Sequence, residues 1–229
     1  MSKEICIVLP ALNEERTIGR VIDEIPRQEI ERRGYKANII VIDNGSADRT
    51  GEIARGKGAR VVLEPNRGKG MAIRAAFREI TGEFVFIIDA DYTYPAIHII
   101  DMLEVLEDGY DAVIGSRFKG QMVNGSMSSL NRMGNRLLAL MTNSLYGIRI
   151  SDPCTGCWGL KCEVVKGLEL DARGFDIEVN IVTEIAKNGC KIKDIPVNYR
   201  RRSTPPKLNS LRDGLKIGRM LIRNRFRHR

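Results

Sequence analysis

Apolar residues follow two rhythms along the chain. Up to Gly115, short β-branched or apolar runs at residues 5–9, 38–42, 60–63, 84–89 and 112–115 alternate with helix-length amphipathic segments. That alternation predicts an α/β domain whose mostly parallel central sheet carries helices on both faces. Ile18, Val21, Ile22 and Ile25 share one face of a helix that Asn13 is expected to cap, and Ala72, Ile73, Ala76, Phe77 and Ile80 do the same for a helix over 68–80. Beyond Gly115 the rhythm changes. Residues 116–127 read as a loop and 130–146 as an amphipathic helix, with Leu130, Met133, Leu137, Leu138, Met141 and Leu145 expected to face the core rather than lipid. A turn-rich stretch at 151–159, a helix near 175–187 and a strand near 191–199 follow. No repeat or low-complexity linker interrupts this, which predicts one catalytic-sized domain over 1–199 and a C-terminal extension over 200–229.

With 229 residues, 43% of them hydrophobic and 29% charged, the chain is long and apolar enough to bury a core. Its first apolar run ends at Leu9, too soon for a signal peptide. No run approaches the roughly 18 residues that cross a bilayer, so a cytoplasmic protein without a spanning segment is expected. The five cysteines, an odd number, read as free thiols. Cys154 and Cys157 have C-x-x-C spacing, but one close pair lacks the two-pair pattern of a zinc knuckle, and packing in a turn is the expected role.

The net charge of +8 asks for an anionic partner without saying which. Its distribution is more telling: residues 199–229 hold eleven Lys or Arg and one acid, or +10, whereas residues 1–198 hold 26 basic and 28 acidic residues, or −2. Leu211, Leu215, Ile217, Met220, Leu221, Ile222 and Phe226 interleave with the terminal cations, as in a basic amphipathic helix lying on an anionic membrane surface. A nucleic-acid-binding tail would account for the charge, but no helix-turn-helix, RNP-like or zinc-finger signature accompanies it, and no nucleic-acid partner is expected.

In an open α/β sheet, ligands bind beyond the carboxyl ends of the strands. Those ends are polar or acidic: Pro10-Ala-Leu-Asn13-Glu14-Glu15, then Asp43-Asn44-Gly45-Ser46-Ala-Asp48, then Asp89-Ala90-Asp91 after the buried run 84–88. Two carboxylates at i and i+2, where the chain leaves strand geometry, can turn toward one Mg²⁺ or Mn²⁺ ion that takes its other ligands from water and substrate phosphates. Asp89 and Asp91 are therefore the candidate metal ligands, and a nucleoside diphosphate the candidate ligand.

Pro10-x-x-Asn13-Glu14, Asp43-x-Gly45-Ser46-x-Asp48-x-Thr50, Asn66-x-Gly68-Lys69-Gly70-x-Ala72, Asp89-Ala-Asp91 and Gly115-Ser116-Arg117 occur in an order that resembles the family 2 glycosyltransferases of the GT-A fold. Asn131-Arg132-Met-Gly134-Asn135, Asp152-x-x-Thr155-Gly156, Gly174-Phe175-Asp176-Ile177-Glu178 and the basic stretch from Arg202 resemble the polyprenyl-phosphate sugar synthase branch, which includes the dolichyl-phosphate mannose synthases. The resemblance implies that Pro10, Leu12 and Glu14 line a nucleoside pocket, that Asp43 contacts the base, and that Asp89, Ala90 and Asp91 surround the donor diphosphate and metal. It implies further that Arg117 and Arg132 stand near the donor and acceptor phosphates, and that Arg202 and Lys207 close over the site. Two positions depart from the branch: Thr93 stands where a glutamine is usual, and Pro206 where a serine precedes the lysine.

The implied reaction is a metal-assisted transfer of a hexose-type sugar from a nucleoside-diphosphate sugar (GDP-mannose, UDP-glucose or UDP-N-acetylglucosamine) to a polyprenyl phosphate at the cytoplasmic face of a membrane, with the inversion that the resemblance implies. A phosphate acceptor is already anionic and needs no base, whereas a saccharide hydroxyl would need one. Asp176 and Glu178 are the base candidates in that alternative. His98 and His228 are not convincing bases. A sugar nucleotidyltransferase would carry a glycine-rich loop with arginine after the first strand, where Pro10-Ala-Leu-Asn13 stands instead.

Overall fold

The computed structural model of the chain describes residues 3–204 and 210–226. Its sheet is built from β1 (Lys3–Ala11), β2 (Tyr35–Asp43), β3 (Arg60–Leu63), β4 (Phe84–Ile88), β5 (Ala112–Ser116), β6 (Cys157–Lys161) and β7 (Ile192–Pro196). The helices are α1 (Ile18–Asp23), α2 (Arg27–Arg32), α3 (Thr50–Gly56), α4 (Lys69–Glu79), α5 (His98–Glu107), α6 (Ser129–Tyr146), α7 (Cys162–Lys166), α8 (Ile177–Lys187) and α9 (Ser210–Phe226). The strand order is β3-β2-β1-β4-β6-β5-β7. β6 runs antiparallel between β4 and β5, and the other pairings are parallel.

Side chains along a strand point alternately to the two faces. Ile5, Ile7 and Leu9 of β1 and Phe84, Phe86 and Ile88 of β4 therefore share one apolar layer with α1, α2, α3 and α5. Cys6, Val8, Val85 and Ile87 enter the opposite layer, with α4, α7 and α8. Burial on both faces is why these strands read as unbroken apolar runs. A third, smaller cluster joins Leu138 of α6 and Val179 of α8 to Ile217, Met220 and Leu221 of α9.

Packing corrects three expectations. Asn13 does not cap α1: Thr17 holds the N-cap position without a side-chain cap bond. Asn13 instead adopts a left-handed φ of 50° and accepts a 2.8 Å hydrogen bond from Ala47 N, tying the β1 end to the β2 end. The turn-rich stretch 151–159 already contains the start of β6. Gly159 disguises that strand, and its bareness is required, because a Cβ there would lie 2.7 Å from Val113 Cγ1 and 3.0 Å from Phe86 Cε1. On α6, Leu138, Met141 and Leu145 pack inward as expected, together with the buried Ala139 and Thr142, but Leu130, Met133 and Leu137 are exposed, so only half of the expected face meets the core.

Candidate active site

β1 and β4 are parallel neighbours, so the turns that follow them meet at one edge of the sheet. There they open a cavity of about 280 Å³. Seven of the residues expected to hold a nucleotide sugar line it: Pro10, Leu12, Glu14, Asp89, Ala90, Asp91 and Arg202. Asn44, Lys69 and Phe175 contribute to its wall. Asp43 is buried beside the cavity rather than in its lining, and its carboxylate accepts a 2.8 Å bond from Ser46 N. Lys207, like Pro206 and His228, lies outside the described residues.

Two cations each join a pair of carboxylates in this cavity. Arg202 places Nη2 3.0 Å from Glu14 Oε1 and Nη1 3.2 Å from Asp91 Oδ2. Lys69, the first residue of α4, places Nζ 2.6 Å from both Asp89 Oδ1 and Glu178 Oε1. Burial opposes the charge on Lys69, but the two carboxylates outweigh it and raise the ammonium pKa above its ordinary value, so the side chain remains protonated. Burial pushes the Glu178 carboxyl up, with Lys69 pulling the other way. Burial and then the Asp89 charge push Asp91 up, against Arg202 and Thr93. Thr93, the residue that departs from the branch pattern, donates to Asp91 Oδ1 from its backbone N at 3.1 Å and its hydroxyl at 2.5 Å. Asp89 fits only because Gly156 is bare: a Cβ there would lie 2.1 Å from Asp89 Oδ2.

The turn itself is braced from outside. Tyr92, between Asp91 and Thr93, holds a left-handed φ of 66°, a conformation that non-glycine residues seldom adopt. Its ring lies between two guanidinium groups, 3.9 Å from Arg20 Cζ and 4.2 Å from Arg200 Cζ. Its hydroxyl donates to Glu24, which also accepts from Arg200 Nη1 at 2.9 Å. Arg200 N donates to Thr93 O at 2.8 Å, so the segment carrying Arg202 is fastened to the Asp91 turn.

The other expected site residues are placed differently. Arg117 is buried, with Nε 2.7 Å from Asp152 Oδ2, Nη2 2.7 Å from Asp152 Oδ1 and Nη2 also donating to Cys154 O at 3.2 Å. Its guanidinium fixes the loop ahead of β6 and does not line the cavity. Arg132 is exposed on α6 and makes no ion pair among the described residues. Asp176 accepts from Lys216 Nζ of α9 at 3.0 Å. His98 does not line the cavity; it pairs with Asp101 and accepts from Asn198 N. Cys154 and Cys157 are free, and burial raises both thiols, which suits packing rather than thiolate chemistry. Lys69 stands in the Asn66-x-Gly68-Lys69 motif, but nothing in the sequence signals its role, because its partner Glu178 is supplied by a distant helix.

Among the described residues, no group of three or more His, Cys, Asp or Glu is placed to hold a metal. A divalent ion at Asp89 and Asp91 would take two carboxylates from the protein and its remaining ligands from substrate phosphates and water. That hard-oxygen donor set fits Mg²⁺ or Mn²⁺.

A mostly parallel sheet with a D-x-D turn at a strand end, beside a cavity walled by cations, is the architecture of a GT-A nucleotide-sugar transferase. The family model described as glycosyl transferase family 2 matches residues 6–168, and the chain belongs to that family of glycosyltransferases. It is 38% identical over 213 residues to glycosyltransferase AglJ of Haloferax volcanii, covering 92% of this chain and 68% of that protein. It is 33% identical over 221 residues to a dolichyl-phosphate hexose transferase of the same organism, covering 96% of this chain and 93% of the relative. Glucosyl-3-phosphoglycerate synthase from Mycobacterium tuberculosis, solved with Mn²⁺, UDP and glucosyl-3-phosphoglycerate, superposes with a TM-score of 0.74 at 26% identity, covering 97% of this chain and 78% of that one. The resemblance to the polyprenyl-phosphate branch thus extends over nearly the whole chain.

Proposed function

We propose that the protein transfers a hexose-type sugar from a nucleoside-diphosphate sugar to a polyprenyl phosphate of the dolichyl type, assisted by a divalent ion and with inversion at the anomeric carbon. The observation that carries the acceptor is the state of the two base candidates. Glu178 is held by Lys69 and Asp176 by Lys216, so neither carboxylate stands ready to take a proton. A phosphate monoester requires no such group. The name of the dolichyl-phosphate hexose transferase relative supports the same acceptor class.

In this reading Pro10 and Leu12 bound the nucleoside, and Asp89, Ala90 and Asp91 face the diphosphate. A divalent ion on Asp89 and Asp91 would supply charge neutralisation to the leaving diphosphate. Arg202, already in the cavity, donates hydrogen bonds to the same developing charge, most strongly as the anomeric bond breaks. Lys69 holds Asp89 in place, and Phe175 shields the reacting centre from water. The acceptor phosphate oxygen attacks from the face opposite the departing diphosphate, which gives inversion in one displacement.

Radiolabelled GDP-mannose, UDP-glucose and UDP-N-acetylglucosamine offered with dolichyl phosphate and Mg²⁺ or Mn²⁺ test the reading. One donor should yield a labelled lipid, and Asp91→Ala or a chelator should reduce turnover at least about 100-fold. Full turnover by Asp91→Ala in chelator would overturn the metal-assisted route. Transfer to phosphoglyceric acid but not to dolichyl phosphate, abolished by Glu178→Gln with donor binding intact, would establish a hydroxyl acceptor instead.

A further inference from the structure

Asp91 offers its two carboxylate oxygens unequally. Oδ1 accepts twice from Thr93, from the backbone N at 3.1 Å and from the hydroxyl at 2.5 Å. Oδ2 lies 3.2 Å from Arg202 Nη1, beside the cavity that both residues line. A carboxylate oxygen accepts through about two lone pairs, so the two bonds from Thr93 fill Oδ1. A cation approaching Oδ1 would have to break both.

The surroundings hold this arrangement from several sides. Thr93 is fully buried and Asp91 is buried, which keeps water from competing for the hydroxyl bond. Thr93 O accepts from Arg200 N at 2.8 Å, fixing the residue at its other end. The next residue, Tyr94, is buried too, and its hydroxyl accepts from Gly156 N at 3.0 Å, which sets the bare Cα of Gly156 against Asp89. Packing alone gives no reason for a hydroxyl at position 93. Valine has nearly the same shape and would spare the cost of burying a polar group. The hydroxyl is spent on Asp91.

Coordination chemistry gives that bond a consequence. Ca²⁺ gathers about 6–8 oxygens and readily takes both oxygens of one carboxylate, whereas Mg²⁺ demands near-octahedral geometry and keeps several waters. With Oδ1 filled, Asp91 can give a metal one oxygen, Oδ2. That suits a six-coordinate ion and penalises a larger one.

We propose that Thr93 determines the metal specificity of the site: by occupying Oδ1 it makes Asp91 a one-oxygen ligand, which favours Mg²⁺ or Mn²⁺ over Ca²⁺. Thr93 acts through Asp91 and is a positioning residue. It stands where the chain departs from the branch pattern, so the property belongs to this chain. The inference rests on the metal-assisted reading and deepens it, because a pair of aspartates does not by itself choose among these ions.

Mn²⁺ bound to the full chain is measured by equilibrium dialysis with UDP and, separately, with GDP, against blanks of nucleotide without protein, and Ca²⁺ is then used to displace it. Displacement from the wild type should require at least about a 100-fold excess of Ca²⁺. Thr93→Val frees one position on Oδ1 at nearly constant volume and should lower that excess about tenfold, whereas Thr93→Ser should keep the wild-type value. Thr93→Ala removes the hydroxyl without adding bulk and carries the same expectation as Thr93→Val if the valine does not fold. An unchanged excess in a folded variant without the hydroxyl would overturn the proposal, and so would Thr93→Ser behaving like Thr93→Val. Absence of Mn²⁺ binding by the wild type with either nucleotide would instead overturn the metal-assisted reading and this inference with it, so the two failures are distinct.

Discussion

Lys69 and Arg202 each bridge two carboxylates in the same cavity, but they are anchored in different ways. Lys69 projects from the first turn of α4, where Gly68 N is held by Asn44 Oδ1 at 2.7 Å and Gly70 N by Arg173 O at 3.1 Å. Its side chain is 15% exposed, and both of its contacts are 2.6 Å. Arg202 hangs from the segment after β7, is 23% exposed, and makes contacts of 3.0 and 3.2 Å. Both bridges satisfy acidic groups, yet only Lys69 sits on an element that packing holds on several sides. Lys69 keeps the buried Glu178 and the half-buried Asp89 compatible with folding, while Arg202, on a less tightly held segment, can turn from its carboxylates toward a ligand.

The largest break in this comparison is Lys69→Met. Removing the cation leaves Asp89 and Glu178 facing each other without compensation, which should cost about 3 kcal/mol. Differential scanning calorimetry should show an unfolding temperature lower by roughly 6–12 °C, and turnover should fall below about 1% of wild type. An unchanged unfolding temperature would show that water, not Lys69, satisfies those carboxylates.

Arg202→Met should separate the two properties. Its side chain is 23% exposed, and its buried partners Glu14 and Asp91 keep hydrogen-bond donors in Thr17 and Thr93, so stability should change by no more than about 2 kcal/mol. The donor kcat/KM should nevertheless fall about 10–100-fold through loss of charge-assisted contacts to the diphosphate. A loss of stability equal to that of Lys69→Met would erase the distinction between the two bridges.

The sequence made one side of this comparison easier to see than the other. β1, β2 and β4 were legible because strands buried on both faces are written as continuous apolar runs, and the D-x-D turn was legible because it follows one of them. β6 was hidden by Gly159, whose role depends on Phe86 and Val113 from two other strands. Arg202 could be assigned to the site through the family resemblance, whereas the ion pairs of Lys69 depend on bringing α4, β4 and α8 together. Helical spacing revealed that α6 is amphipathic, but it has apolar residues on more than one stripe, and spacing alone does not choose the one that faces the core.

The finest test concerns the fastening of Arg202. Tyr92 grips Arg200 by stacking and through the shared acceptor Glu24, and the backbone leads from there to Arg202 two residues later. Tyr92→Phe keeps the ring between Arg20 and Arg200 and loses only the hydroxyl bond, so a stability loss of about 1 kcal/mol and a roughly twofold fall in donor kcat/KM are expected. Tyr92→Gly relieves the left-handed backbone but removes the stack, and should lower kcat/KM about fivefold with a larger change in KM than in kcat. If Tyr92 acts by positioning Arg202, the effect of Tyr92→Gly on kcat/KM should vanish when Arg202 is already methionine, because the two changes then remove one shared interaction. Full additivity in that double-mutant cycle would mean that Tyr92 supports the Asp91 turn alone, and that Arg202 finds its place without it.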